Sequence, residues 1–422
     1  MASSSDDDDS ADEVEDIACA FNLLRLLKKR KRGRGHRGSV LGRETIPRPI
    51  QEGAERLQKD FFDDPPIYGP RFFRRRFRMR KELFLWIEEA LLQYKPAYFK
   101  QGRDCTGKLG CSTRQKLAAA IFMLASGKDA FSFDRELRMG ESTILEALHE
   151  FTRGIVHVFG KKYMRSPNQF DLERLLQTAE ARGFPGMLGS LDCMHWVWES
   201  CPSGWKGQYK GHQGEPTVIL EAVAGPDRWI WHCNFGCPGS YNDINVLHRS
   251  PLFDDLVSGH APQVNFTVNG NTYNMGYYLA DGIYPQWATL VKGIPLAQTA
   301  KQQLFDSLQA QYRKDVECAF GILQKKFGIV KGPSRNWFPV DMWYIMCTCV
   351  ILHNMTVEDE RDLDQVLEDE YDDGTAAPPL PRAHPTIDRI IAQRSKIQDK
   401  VVHRQLQHDL IEHIWAKFGP GD

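Results

Sequence analysis

Asp192, Asp281 and Glu317 are the residues whose types and settings best suit chemistry. Asp192 stands in Gly189-Ser-Leu-Asp-Cys-Met-His-Trp-Val-Trp198, a short apolar stretch rich in strand formers. Asp281 stands in Gly276-Tyr-Tyr-Leu-Ala-Asp-Gly-Ile-Tyr-Pro285, an apolar run cut off by Gly and Pro, as where a buried strand meets its loop. Around Glu317, the residues Val316, Phe320, Leu323 and Phe327 recur at helical spacing, which predicts an amphipathic helix with the glutamate beside its apolar stripe. Two strand-end carboxylates and one helix carboxylate, brought together, suit a pair of Mg²⁺ ions, with Mn²⁺ as the alternative. Mg²⁺ prefers oxygen ligands and keeps several waters, so few carboxylates suffice. Such a pair activates a water, stabilises pentacoordinate phosphorus and stabilises the leaving oxygen of a phosphodiester. Asp192 is expected between the metals, with Asp281 and Glu317 on either side.

Other groups surround this set. Asp243, in Gly239-Ser-Tyr-Asn-Asp243, is the rival for the second carboxylate, although its context also fits a helix N-cap. A fold in which the second acid ends the fourth strand favours Asp281 and leaves Asp243 beside the ligands. His195 either faces the site or packs beside Trp196. Arg313, one turn before Glu317, either orients the glutamate, holds a phosphate or makes a plain salt bridge. Lys206 and Lys210, in a loop with His212, are candidate DNA contacts. Cys193, Cys201, Cys233 and Cys237 lack the two tight pairs of a strong zinc motif and read as small core residues.

The elements that must position these groups can be read along the chain. Residues 1–45 form a charged tail, acidic and then basic, and Lys28-Lys-Arg-Lys-Arg-Gly-Arg-Gly-His-Arg37 is a candidate nuclear-import signal. Residues 64–165 read as helical. Phe73 and Phe77 lie one turn apart and are expected in a core, while Arg74, Arg75 and Arg78 are candidates to follow a DNA backbone. Ser112 and Gln115 predict a capping box at the start of a helix that Gly127 ends, and Thr143 with Glu146 predicts a second box. A short helix over Phe133–Arg138 between them gives either a helix-turn-helix, with Arg153 on DNA, or a helical bundle.

Residues 184–357 read as the catalytic core. Strands are expected at Met187–Trp198, Thr217–Ala224, Trp229–Phe235 and Gly276–Asp281, followed by the Glu317 helix and a buried helix over 342–356. An acidic and then Pro-rich linker, 358–385, leads to one amphipathic helix over 386–418. The polar N-terminus gives no signal peptide, and Met342–Leu352 is shorter than the roughly 20 apolar residues a bilayer requires. The net charge of −1 says nothing about partners; its distribution in blocks says more.

From Asp64 to Glu360 the chain resembles the PIF/Harbinger superfamily of DDE transposases, most closely its plant Pong-like branch. The resemblance is carried by Pro70-Arg-Phe-Phe-Arg-Arg-Arg-Phe-Arg-Met79, Gly183-Phe-Pro-Gly-Met-Leu-Gly-Ser-Leu-Asp-Cys-Met-His-Trp196, Glu215-Pro-Thr-Val-Ile-Leu-Glu-Ala-Val223, Pro238-Gly-Ser-Tyr-Asn-Asp-Ile-Asn-Val-Leu247, Met275-Gly-Tyr-Tyr-Leu-Ala-Asp-Gly-Ile-Tyr284, Arg313-Lys-Asp-Val-Glu-Cys-Ala-Phe-Gly321 and Ile351-Leu-His-Asn354. It implies an α/β fold with an RNase H-like DDE core that cuts and rejoins transposon DNA in the nucleus. It also implies terminal inverted repeats and a short A/T-rich target as DNA partners, and a Myb/SANT-like protein encoded by the same element. A homo-oligomer is compatible with this reading, and no membrane partner is expected. One departure stands out: Cys318 follows the helix glutamate where the family is expected to carry Arg. A domesticated, catalytically silent nuclear chromatin protein and a nuclease that never joins ends are the alternatives.

Overall fold

The computed structural model describes residues 46–104, 107–211, 214–259, 261, 263–365 and 387–420. The charged tail over 1–45, His212 and the linker from residue 366 onward lie outside them. The chain divides into two compact units. One contains the residues up to Tyr163 with Trp198–Pro202 and Gln324–Leu352; the other contains Met164–Val197, Ser203–Leu323 and the chain from His353.

The first unit is helical. Its central helix, Thr113–Ser126, buries every residue from Leu117 to Ala125, and a helix apolar all round belongs in a core. Its ends follow local chemistry. Ser112 and Gln115 close the expected capping box, and Gly127 takes the left-handed conformation that releases the chain. The Gln115 side chain is buried and also donates to Ile50 O and Leu137 O, both at 3.0 Å. Phe73 and Phe77, on the helix Pro70–Phe77, are buried as expected and stack at 4.3 Å, with Phe61, Phe62 and Phe84 edge-on around them. Phe72 is exposed.

The long helix of this unit is Glu141–Tyr163. It begins before Thr143, so Thr143 lies inside the first turn and the second expected capping box is not the start signal. The helix Pro339–Gln365 is longer than the expected 342–356. Its stretch Pro339–Arg361 is long and apolar enough to cross a membrane, but the 18-residue apolar window within it is 89% buried in the protein. Cys347 and Cys349 are fully buried there.

The second unit is built on a five-stranded mixed sheet in the order β3-β2-β1-β6-β7. The strands are β1 (Met187–Val197), β2 (Thr217–Ala224), β3 (Ile230–Pro238), β6 (Tyr277–Leu279) and β7 (Leu290–Val291). The first three form an antiparallel meander; β6 pairs parallel with β1, and β7 parallel with β6. A separate hairpin, β4 (Phe266–Val268) and β5 (Asn271–Tyr273), precedes β6, so the strand before Asp281 is fourth in the sheet but sixth in the chain. At Gly189, where the β1–β6 register shifts, a Cβ would meet Ala224 O at 2.6 Å, so only glycine fits.

Side-chain alternation assigns the two faces of this sheet. Leu279 and Val291 join a cluster with Phe184, Phe305, Leu406 and Leu410. Their neighbours Ala280 and Leu290 join another with Leu191, Val223, Leu247 and Trp287. The first cluster takes in the helices Gln169–Ala181, Ala300–Lys326 and Lys400–Phe418. The single helix expected over 386–418 is in fact two, Ile387–Ile397 and Lys400–Phe418, because Asp399 caps the second by accepting from Val401 N and Val402 N.

Asp409, on that last helix, is 1% exposed and accepts hydrogen bonds from Asn269, Asn271, Tyr273 and Gln405. Burial opposes its charge, but these donors outweigh burial and hold the carboxyl below its usual range. Asp409→Ala strands several donors of the β4–β5 hairpin and should cost about 3 kcal/mol at pH 7. Because the folded pKa is depressed, this contribution is full above the unfolded value and fades as pH falls through the folded one. The difference in urea unfolding between wild type and variant should therefore narrow in strong acid.

Candidate active site

Asp192 lies on β1 opposite Ala222, half-buried, with the Cys193 N–H donating to its Oδ1 at 2.8 Å. Burial pushes its carboxyl up to about 6. The Cys193 N–H opposes this, the negative charges of Asp243 and Glu317 add to it, and Arg313 pulls it back. Asp192, Asp243, Glu317 and Arg313 therefore share one electrostatic neighbourhood.

Glu317 arrives on the helix Ala300–Lys326. That helix is tied to β1 next to the acid: the Val316 N–H donates to Ser190 Oγ at 3.0 Å, so the residue before Glu317 is fixed to the residue two before Asp192. Arg313 pairs with Glu317 at 2.8 Å across one turn, a salt bridge along the helix.

Asp281 follows β6 by two residues, exposed, with the Gly282 N–H on its Oδ1 at 2.6 Å. Its level is set by pairing. Ser190 of β1 is opposite Leu279 of the parallel strand β6, and Asp192 and Asp281 each lie two residues further on. β1 and the turn that follows β6 thus carry the two aspartates at corresponding positions past the last paired residues.

Asp243 opens the short helix Asp243–Leu247, but the N-cap is Asn242, whose side chain accepts from Asn245 N at 2.8 Å. The capping role considered for Asp243 belongs to its neighbour. Burial raises the Asp243 carboxyl; a hydrogen bond from the Cys193 thiol and the nearness of His195 oppose this, while the charges of Asp281 and Glu221 add to it. Asp243 is therefore coupled to both strand aspartates. His195 places Nδ1 2.9 Å from Thr217 Oγ1 and lies within electrostatic range of Asp243, while the neighbouring Trp196 is buried.

Four carboxylates thus crowd one end of the sheet, two of them exposed. Their oxygen-only donor set suits a hard divalent cation, which would offset both the burial and the neighbouring charges that raise Asp192. Among the described residues, however, no three His, Cys, Asp or Glu side chains converge as a ready-made metal group. Ligation requires the side chains to turn, Glu317 away from Arg313 in particular.

Residues 161–364 match a family model described as plant transposon protein. The match supports a plant transposon-derived protein. All four carboxylates fall inside that stretch. Residues 53–92 match a domain of unknown function. The comparison with curated proteins returned no match, and neither did that with solved structures.

The matched stretch also holds a residue given no role above. Glu221 interrupts the otherwise apolar, fully buried β2 and is itself 0% exposed. Its Oε2 meets His232 Nε2 at 3.1 Å and Asn234 Nδ2 at 3.5 Å, while Oε1 has no hydrogen-bond partner among the described residues. An acid inside an apolar strand was the signal for it; its partners on β3 were not legible locally.

The candidate DNA contacts lie in both units. Arg74 and Arg75 are exposed on the helix Pro70–Phe77, and Arg78 ends it in the left-handed region, half-buried. Arg153 is engaged within its unit, 3.5 Å from Asp341 and over the Tyr344 ring, so its guanidinium is not simply presented to solvent. Lys206 and Lys210 are exposed at a short helix, Lys206–Tyr209, in the second unit.

Proposed function

We propose that this chain is a DDE transposase of the PIF/Harbinger superfamily, Pong-like branch, with an RNase H-like core. The observation that carries the reading is the β1–β6 register, which ends at Ser190 and Leu279 and leaves Asp192 and Asp281 each two residues further on, with Glu317 tied alongside through Ser190. The sheet order, an antiparallel meander followed by two parallel strands, supports it, as does the plant transposon match.

Two Mg²⁺ ions, or Mn²⁺, held by Asp192, Asp281 and Glu317 would supply activation of the attacking oxygen and stabilisation of the leaving one. The chain's own groups do the rest. Asp192 stands between its partners on the rigid strand, and Arg313 orients Glu317 until it is needed as a ligand. Asp243 and His195 border the ligands. In joining, the freed 3′-OH takes the place of water at the same carboxylates, so no covalent protein intermediate is required. Arg74, Arg75, Arg78, Arg153, Lys206 and Lys210 are proposed to contact transposon ends and an A/T-rich target. A Myb/SANT-like protein of the same element is the proposed partner, and the nucleus the proposed location.

The test is excision of an inverted-repeat element of this kind in the presence of the Myb-like protein, with Mg²⁺ and with chelator. Excision that requires the metal is expected. A folded protein that binds the repeats and never cuts them would favour the domesticated, catalytically silent alternative.

A further inference from the structure

The Asp281 loop is held at both ends. It is a four-residue turn, closed by the Tyr284 N–H donating to Asp281 O at 3.1 Å. Lys292 Nζ clamps it from one side, donating to Gly282 O at 3.2 Å and Tyr284 O at 2.9 Å. The Tyr284 side chain turns the other way, into the apolar cluster with Leu191 and Leu290, and is 1% exposed. Its hydroxyl is not left unpaired there: it lies 3.6 Å from Cys193 Sγ. Cys193 is the residue after Asp192 and gives that aspartate its backbone N–H. The Asp243 carboxyl lies within electrostatic range of the same thiol. Either the phenol or the thiol can donate across the Tyr284–Cys193 contact.

We infer that Tyr284 and Cys193 are positioning residues that latch the Asp281 turn to β1 and so set the separation of Asp281 and Asp192. Cys193 lies opposite the buried Glu221 on β2, so the Tyr284 hydroxyl and the thiol reach a polar spot at the edge of the apolar cluster. Phenylalanine would fill the same apolar space but leave the turn to pivot on Lys292 alone. Partners of this kind fix ligands in place, and losing one lowers metal affinity by about 10- to 100-fold. The inference rests on the metal-binding reading proposed above.

The experiment is Mn²⁺ binding to the full chain, followed by the paramagnetic resonance of free Mn²⁺, with thermal unfolding measured on the same samples. Tyr284→Phe and Cys193→Ala should each weaken Mn²⁺ binding at least about tenfold, and the double variant should be no worse than either. Cys193→Ser, which can still accept and donate, should recover most of the affinity. Equal binding by wild type, Tyr284→Phe and Cys193→Ala would overturn the latch alone. So would a Cys193→Ser protein as weak as Cys193→Ala. If Tyr284→Phe does not fold, the contrast between the two Cys193 variants decides. A folded wild type that binds no Mn²⁺ would overturn the metal reading, and the latch with it.

Discussion

Asp192→Asn should abolish DNA cleavage, lowering the rate by at least about a thousandfold while the protein stays folded. The substitution keeps the shape and the acceptor for the Cys193 N–H, so β1 and its pairing with β2 are untouched. What it removes is the charge that Asp243 and Glu317 already crowd. Relieving that crowding should leave stability equal or slightly higher, because a half-buried carboxylate with raised proton affinity is destabilising when ionised. The measurement is single-turnover cleavage of a terminal-repeat duplex alongside thermal unfolding. Cleavage within tenfold of wild type would remove Asp192 from the chemistry, and a large loss of stability would make the kinetic result uninformative about ligation.

The second large effect separates Asp281 from Asp243. Asp281→Cys should lose Mg²⁺-supported cleavage by about a hundredfold or more and regain part of it with Mn²⁺, which tolerates softer ligands better than Mg²⁺ does. Asp281 is exposed at the end of its strand, so the exchange is cheap for folding. Asp243→Asn should slow cleavage less and show no such dependence on the ion, since Asp243 meets the Cys193 thiol and is proposed to border the metals rather than bind them. The reverse pattern, with Asp281→Cys active in Mg²⁺ and Asp243→Asn dead, would exchange their roles.

Much of the framework was legible because it is local. Ser112, Gln115 and Gly127 delimit their helix through contacts a few residues away. The apolar run of β2 announces a strand buried on both faces. The stripe around Val316 placed Glu317 on a helix before any tertiary contact was known. The illegible parts depend on pairing across distance. That Asp192 and Asp281 hold corresponding positions follows from the Ser190–Leu279 register, which no window of sequence contains. Glu221 gains its meaning from His232 and Asn234 on the next strand. The break before Lys400 is masked in the sequence because apolar residues continue across it, although Asp399 is a suitable cap. Thr143 shows the converse, a plausible capping pattern inside a helix that had already begun.

The parallel pairing of β6 with β1 also fixes an order of assembly. β1, β2 and β3 form a meander of neighbours in sequence, whose pairing can form early, with Asp192 in place. β6 must return to β1 after the intervening helices and the β4–β5 hairpin, and the Ala300–Lys326 helix is made later still. Contacts that close long loops form slowly, and a chain leaving the ribosome acquires them in sequence. The acid cluster is therefore completed only once residues beyond 317 have emerged, so a nascent chain cannot display the full set of carboxylates while its meander alone is folded.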